Sequence, residues 1–156
     1  MVKMKRRPKA LIYADLADAV ECMKQNKKPK RSTNKDGSIT TKPDGRFYIP
    51  PLPEKDVLAA CIKWLRKRGC IADRMNVGAG KLDNGSFYKY GIAGAGDIIG
   101  ILPNGIHFEI ECKRGDGGKW SISQQQRKKK IERNNALYFI VHGVEELEYF
   151  MKEVLK

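Results

Sequence analysis

A predicted β-hairpin near the middle of the chain constrains this sequence most, because it fixes which polar side chains lie together. Residues 98–102 form an apolar run rich in isoleucine, and residues 106–113 alternate between apolar and polar side chains, which is the pattern of a half-buried strand. The segment between them, Pro103-Asn104-Gly105, is typical of a tight turn, since proline presets φ and Asn-Gly accepts the positive φ that follows. The sequence therefore predicts a hairpin closed by these three residues.

The length of this loop fixes which residues of the two strands face each other. If Leu102 pairs with Ile106, counting outward places Asp97 opposite Glu111, and directly opposed residues lie on one face about 5 Å apart. Two carboxylates that close require a raised pKa or a cation between them, and oxygen ligands suit Mg²⁺ or Mn²⁺. Lys113 on the same face would orient an attacking water or stabilise charge that develops on a phosphodiester. The alternative is that Asp97 caps the preceding turn and the other two residues form a solvated strand face.

Residues on either side of the hairpin extend the pattern beyond two carboxylates and a lysine. The segments are Arg74-Met-Asn-Val-Gly-Ala-Gly, Gly91-x-x-Gly94-x-Gly-Asp97-Ile-Ile-Gly-x-x-Pro-Asn-Gly, Glu109-Ile-Glu111-Cys-Lys113 and Ser123-x-x-Gln126. Together they closely resemble the VRR-Nuc family of the PD-(D/E)xK nuclease superfamily. That family occurs as small phage and bacterial proteins and as the nuclease module of the Fanconi anaemia-associated nuclease. The resemblance covers the chain from about residue 54 to its C-terminus.

The resemblance implies a fold, an activity and a set of site residues. The order of predicted elements gives an α/β fold, and the resemblance implies a restriction-endonuclease-like core, with a mixed, mostly antiparallel sheet flanked by helices. The implied activity is metal-dependent hydrolysis of DNA phosphodiester bonds, selective for branched structures such as a Holliday junction or a flap. The implied metal ligands are Glu54, Asp97, Glu111 and the backbone carbonyl of Cys112, and the implied catalytic residues are Glu54, Asp97, Glu111, Lys113 and Gln126.

Glu54 also has a purely structural interpretation. Pro53 suits the first turn of a helix that is predicted to run to Arg68 and to stop at Gly69. A carboxylate at the start of a helix is favoured by the macrodipole. Glu54 is therefore either a helix-terminal charge or a member of the active site, and Asp56 is a nearby competitor for the second role.

Gln126 has two interpretations as well. Ser123-Gln-Gln-Gln126 is predicted to form a capping box, in which the serine and the glutamine satisfy each other's backbone amides. The resemblance instead places a glutamine beside the active-site lysine. Relatives often have proline after the serine, where this chain has Gln124, which is a departure from the family pattern.

The charge of the chain points to a polyanionic partner. Lys and Arg number 31 against 18 Asp and Glu, a formal net charge of +13, which favours nucleic acid; a merely soluble basic protein is the alternative. The residues expected to contact DNA are Lys81, Arg114, Lys119, Arg127 and Lys128. The helix that carries the last two is either DNA-facing or simply solvated.

The first fifty residues are predicted to lie outside the nuclease domain, which spans residues 51–156. Residues 8–26 form an amphipathic helical pattern, and residues 27–46 are a basic linker or arm with little to bury. Small relatives that resemble junction resolvases act as symmetric dimers. The resemblance thus implies a homodimer, with the N-terminal helix as a candidate interface. Residues 78–85 are predicted to be a flexible, glycine-rich loop.

The cysteines and the hydropathy exclude several other classes of protein. The four cysteines show no C-x-x-C spacing and are interpreted as reduced thiols, with a zinc site from Cys61, Cys70 and His107 as the alternative. No run approaches the ~18 apolar residues of a membrane span, and no signal peptide is evident. We therefore expect no membrane association and no organic cofactor, and a location in the cytoplasm of a bacterium or a phage-infected host.

Two other functions remain open from the sequence. The charge and the basic arm would equally suit a non-catalytic nucleic-acid-binding protein on a nuclease-like scaffold. RNA is a further possible substrate, because Tyr88, Tyr90 and Trp120 would stack on unpaired bases if they were exposed; the alternative is that these aromatic residues pack in the core.

Overall fold

The computed structural model of the chain describes residues 20–26 and 34–155. Its strands are β1 Ile39–Thr41, β2 Ile71–Arg74, β3 Gly78–Lys81, β4 Phe87–Tyr90, β5 Ile98–Ile101, β6 His107–Cys112, β7 Gly118–Trp120 and β8 Leu137–Val141, and its long helices are α1 Glu54–Arg66, α2 Ile122–Arg133 and α3 Val144–Met151. Residues 20–24 are also helical. The rest of the predicted N-terminal helix lies outside the described residues.

The central sheet has four strands in the order β2-β5-β6-β8. Only the β6–β8 pair is parallel, so the predicted mixed, mostly antiparallel sheet is confirmed. Ile101 lies opposite His107, and the amide of Leu102 donates to the carbonyl of Ile106 at 2.9 Å. The predicted hairpin and its three-residue loop are therefore confirmed, together with the register on which the carboxylate pair depends.

Strand β6 is buried on both faces, and this arrangement positions the site. Its apolar residues Phe108, Ile110 and Cys112 are fully buried in a core built with α1, α3 and the neighbouring strands. Its polar residues Glu109 and Glu111 are buried as well, and side chains of α2 bind them. The sheet is therefore covered by α1 and α3 on one face and by α2 on the other.

Helix α1 packs its apolar stripe against the sheet. Val57, Cys61 and Leu65 are buried at helical spacing, whereas Leu58, Ile62 and Trp64 are partly buried and flank this stripe. The helix ends at Arg66, two residues earlier than predicted. The chain then turns through Gly69, whose φ of +78° favours glycine.

The prediction of a flexible loop at residues 78–85 is wrong for its first half. Residues 78–81 form β3, which pairs antiparallel with β4. Glycine is disfavoured in isolated strands, but here Gly78 and Gly80 face the tyrosines of β4, whose rings fill the space that the glycines leave.

The prediction of a basic arm does not hold for residues 34–46. Strand β1 pairs with β7, the carboxylate of Glu146 accepts from the amide of Asp44 at 2.6 Å, and a buried His142 ring contacts both Glu146 and the hydroxyl of Thr41. This segment is short of apolar residues, and polar contacts with the C-terminal part of the chain hold it in place. Residues 27–33 of the predicted linker lie outside the described residues.

None of the helices within the described ranges is long and apolar enough to cross a membrane.

Candidate active site

Two acidic side chains meet where β5 begins and β6 ends. Asp97 immediately precedes β5, and continuing the observed register by one pair places it opposite Glu111. One oxygen of Asp97, Oδ2, accepts from the amide of Cys112 at 2.9 Å. The bend before Asp97 lies very close to β6, since a Cβ added to Gly96 would be 2.7 Å from the backbone nitrogen of Ile110. A larger residue at position 96 would push the two carboxylates apart.

The carboxylate pair is buried enough to disfavour its charges. Burial, and next the charge of Asp97, raise the pKa of Glu111 to about 7, although Lys113 opposes the shift. Burial likewise raises the pKa of Asp97, against the opposing effect of the Cys112 amide and Lys113. Two acidic groups with raised pKa values in one place are a candidate functional site.

Glu54, the first residue of α1, belongs to the same electrostatic group. Burial, and next the charge of Asp97, raise its pKa, and its own charge acts on Glu111. Glu54 and the competing carboxylate, Asp56, are both exposed. What distinguishes Glu54 is its electrostatic interaction with Asp97 and Glu111, so it is the acidic residue of this turn that belongs with the pair.

Lys113 contacts the pair directly. Its side chain is only 8% exposed, and Nζ donates to Oε1 of Glu111 at 2.5 Å. Its methylene chain runs along β7, where a Cβ added to Gly118 would lie 2.9 Å from the lysine Cδ. Its backbone amide donates to the carbonyl of Val141 at 2.8 Å. The lysine that the sequence predicted is thus fixed at three points beside Glu111.

The predicted capping box is wrong by two residues. Helix α2 is capped by Ser121, whose hydroxyl accepts from the amide of Gln124, while the Gln124 side chain accepts from the amide of Ser121. Nε2 of Gln124 also donates to Oε1 of Glu111 at 2.5 Å. Gln126 is exposed and lies two residues further round the helix. Two overlapping Ser-x-x-Gln patterns are present, and the first is used because β7 ends at Trp120 and leaves Ser121 extended.

Sequence reasoning also missed the role of Glu109. This side chain is fully buried, accepts from Arg127 and from the amide of Gly96, and contacts His107. Burial is the largest single influence and opposes its ionisation, but Arg127, the Gly96 amide and His107 together outweigh burial and hold the pKa of Glu109 below its ordinary value. The ion pair therefore fixes α2 over the polar face of β6. Alternation alone placed Glu109 on this face, and no sequence signal pointed to its partner.

An open cleft of about 320 Å³ borders the two carboxylates. Residues 74–77, Gly94 and Ala95 form one part of its lining, and Ser123 and Gln124 at the start of α2 form another. Arg74 lines this cleft, and its charge favours the ionised form of Asp97. This arginine begins one of the segments that carry the family resemblance, but no role for it follows from the sequence. The cleft is large enough for a phosphate group, and Arg74 is the cationic residue in its lining.

The five residues predicted to contact DNA have different surroundings. Arg127 pairs with the buried carboxylate of Glu109, and Lys128 binds the carboxylate of Glu132 and the carbonyl of Tyr138. The prediction that Arg127 and Lys128 face DNA is therefore not supported, because both side chains already bind groups of the protein. Lys81, Arg114 and Lys119 are exposed, although Arg114 pairs with Asp116.

The donor set at the pair suits a hard divalent cation in part. Within residues 20–26 and 34–155, no group of three or more His, Cys, Asp or Glu side chains is placed to hold a metal ion, which also leaves the zinc alternative without support. Asp97 and Glu111 each use one oxygen for internal hydrogen bonds; the other accepts none from the described part of the chain. Two carboxylate oxygens are a usual protein contribution to bound Mg²⁺, which keeps several waters.

Comparison with protein-family models, curated proteins and solved structures finds no match for this chain.

Proposed function

We propose that this protein is a divalent-metal-dependent endonuclease that hydrolyses DNA phosphodiester bonds, a member of the VRR-Nuc type with a PD-(D/E)xK core. The observation that supports this proposal most is that the half-buried Asp97 lies opposite the buried Glu111, to which the buried Lys113 is bound. A like-charge pair whose pKa values are raised is unfavourable for folding, and a cation at this place would offset that cost. The net charge of +13 favours a polyanion as the substrate.

Each residue near the pair has a proposed task. Asp97, Glu111 and the Cys112 carbonyl would hold the metal ion, which would supply Lewis acidity and activate water as the nucleophile. Lys113 orients the attacking water and stabilises charge on the phosphate. Gln124 fixes the rotamer of Glu111 through its 2.5 Å hydrogen bond. Arg74, on the wall of the cleft, binds a phosphate oxygen.

The proposal extends to the DNA structure that is cut and to the oligomeric state of the protein. Branched DNA such as a four-way junction or a flap is the proposed substrate, and a homodimer is the proposed form, because symmetric cutting of a junction needs two sites related by a two-fold axis. Cuts at paired positions on opposite strands, together with a dimeric mass by light scattering, would support both parts.

The direct test is a cleavage assay on a junction, a flap, linear duplex and single-stranded DNA with Mg²⁺, Mn²⁺ or EDTA. Lys113→Ala removes the buried lysine, and Lys63→Ala removes an exposed one from α1, outside the residues expected to contact DNA, as the matched control. We expect metal-dependent cleavage that is lost in the first variant and kept in the second. If every substrate is bound but none is cut with either metal, the protein is a nucleic-acid-binding module instead.

A further inference from the structure

The β3–β4 hairpin rises from the rim of the cleft. The cleft lining includes residues 75–77, which lead into β3, and Gly94, which follows β4. The two strands form a sheet of their own, and residues 81–93 are all exposed. The hairpin therefore projects next to the two carboxylates, although the site described above uses none of its side chains.

One face of this hairpin consists of two aromatic rings lying over two glycines. Gly78 pairs with Tyr90, and Gly80 pairs with Tyr88. A Cβ added to Gly80 would lie 2.6 Å from Cζ of Tyr88, and one added to Gly78 would lie 2.8 Å from Cε1 of Tyr90. Each tyrosine ring thus covers the glycine of the facing strand. A residue larger than glycine at either position would occupy the space that the ring fills.

The two rings form a nearly continuous flat surface, which we call the tyrosine platform. Their centroids are 6.3 Å apart and their planes differ by 22°. One side of each ring rests on the glycine backbone, and the residues remain 44% and 52% exposed for Tyr88 and Tyr90. Covering the glycines explains why the rings lie flat, but it leaves their outer faces in water.

The charge of the chain indicates what would cover these faces. The exposed lysines of the hairpin, Lys81 and Lys89, alternate with the tyrosines along the strands and lie on its other face, where Nζ of Lys81 is 5.8 Å from the ring centroid of Phe87. The formal net charge of +13 disfavours a second copy of the chain as the occupant and favours a polyanion. Single-stranded nucleic acid is a polyanion whose flat, uncharged rings would stack on the tyrosines.

We propose that the tyrosine platform binds unpaired bases of nucleic acid beside the cleft. The part of this inference that places the bases next to the bond to be cut rests on the proposed nuclease activity. Stacking at the platform would narrow the substrate class to nucleic acid that has a single-stranded segment next to the bond to be cut. Stacking on tyrosine tolerates any base, so the platform selects for strand separation and not for sequence.

Binding without cleavage tests the platform by itself. We would measure fluorescence anisotropy of a labelled oligo-thymidine strand and of a duplex of the same length, both in EDTA. Tyr88→Ala and Tyr90→Ala should each weaken single-strand binding by about fivefold or more, because stacking on an aromatic ring typically contributes that much per base. Tyr88→Phe keeps the ring and should bind like the wild type. Tyr149→Ala, which removes an exposed tyrosine from α3, is the matched control and should also bind normally.

Several outcomes separate this inference from the nuclease proposal. Unchanged single-strand binding in both alanine variants overturns the platform, whether or not the protein cuts DNA. Equal losses for the single strand and the duplex also overturn it. Weakened single-strand binding in a protein that never cleaves supports the platform and refutes the nuclease. Tyr88→Leu covers Gly80 without a ring; if it binds as tightly as Tyr88→Phe, stacking is not the cause. If Tyr88→Ala turns a dimer into a monomer by light scattering, the platform is a subunit contact and the inference fails.

Discussion

At the scale of single residues, Glu111 is subject to opposing influences. Burial and the neighbouring Asp97 disfavour its ionised form, whereas Nζ of Lys113 and Nε2 of Gln124 both donate to its Oε1 at 2.5 Å. The side chain is therefore held in one position while its charge stays unfavourable. A cation bound between the carboxylates would take the place of a proton, so metal affinity should rise with pH.

We expect the metal-free protein to lose stability as the pH rises from about 4.5 to 7. Glu111 ionises near 4.5 when unfolded but keeps its proton to about 7 when folded. The folded state therefore binds more protons in this window, and the free energy of unfolding falls as pH rises, by about 3 kcal/mol at most. Asp97 and Glu54, with raised pKa values, act in the same direction.

Thermal unfolding in EDTA across this range checks the expectation. Glu111→Gln should show a smaller dependence on pH than the wild type, because one of the three titrating groups is removed. The slope is the readout, since the variant also changes the hydrogen bonds of Lys113 and with them the absolute stability. Identical slopes in the two proteins would show that Glu111 does not titrate in this window.

Two of the three glutamines of α2, Gln124 and Gln126, should behave differently. Gln124→Ala removes both the cap and the contact with Glu111, so we expect a loss of about 1 kcal/mol in stability and a loss of cleavage. Gln126→Ala, on an exposed side chain, should change neither. Gln124→Glu keeps the capping box but places a third carboxylate against Glu111; it should fold normally and cleave poorly. Loss of cleavage in Gln126→Ala alone would favour the original prediction.

At the scale of elements, strand β7 supports the site although it contributes no chemical group to it. It pairs with β1, and its first residue, Gly118, lies against the methylenes of Lys113. The short sheet formed by β1 and β7 therefore acts as the wall behind the lysine. A side chain on that wall would move Nζ away from Glu111.

Gly118→Ala tests this positioning. The added Cβ would lie 2.9 Å from Cδ of Lys113 and 3.3 Å from its Cβ, so the lysine must shift. We expect cleavage to fall by about 100-fold, the scale of loss that a 1 Å misplacement can cause, with little change in the circular dichroism spectrum. Gly45→Ala, where no atom lies within 4 Å, is the control. Equal activity in both variants would mean that β7 does not position the lysine.

The parts of these elements that sequence could predict are the local ones. The hairpin register followed from the turn residues Pro103-Asn104-Gly105 and from the alternation of β6, all within a dozen residues. The residue that caps α2 could not be predicted in this way, because Ser121 and Ser123 both begin a Ser-x-x-Gln pattern. The choice between them depends on where β7 ends, which is set by its pairing with β1.

The errors at β3 and α2 have the same origin. The composition of a Gly-Ala-Gly segment indicates a loop, and only the tyrosines of β4 that lie opposite its glycines make it a strand. The sequence around Arg127 indicates an exposed cation, because its partner, Glu109, lies 18 residues away on another element. In each case the deciding contact joins residues of different strands or helices, which composition and periodicity do not report.

At the scale of the whole molecule, residues 34–46 belong with the domain that they precede. The β1–β7 pairing, the contact of Asp44 with Glu146 and the contact of Thr41 with His142 connect them to the C-terminal part of the chain. The predicted boundary at residue 50 falls after these contacts. Removal of this segment would expose β7 and leave the buried His142 and Glu146 short of partners.

Two shortened chains test this point. A chain that begins at residue 34 should fold and cleave DNA, whereas one that begins at residue 51 should melt at a markedly lower temperature and lose activity, because the wall behind Lys113 is gone. Circular dichroism melting and the cleavage assay provide the readouts. Equal melting temperatures for the two shortened chains would restore the boundary at residue 50.

The raised pKa of Glu111 also bears on how such a protein evolves. An amide in place of Asp97 would relieve the repulsion and its oxygen would still accept from the amide of Cys112, so a lineage released from selection for cleavage would gain stability by a single substitution. An amide in place of Glu111 would instead leave the buried Lys113 without its counter-charge. Stability and activity therefore trade off at Asp97, and variants selected for thermal resistance alone should change that residue early and lose catalysis before they lose the fold.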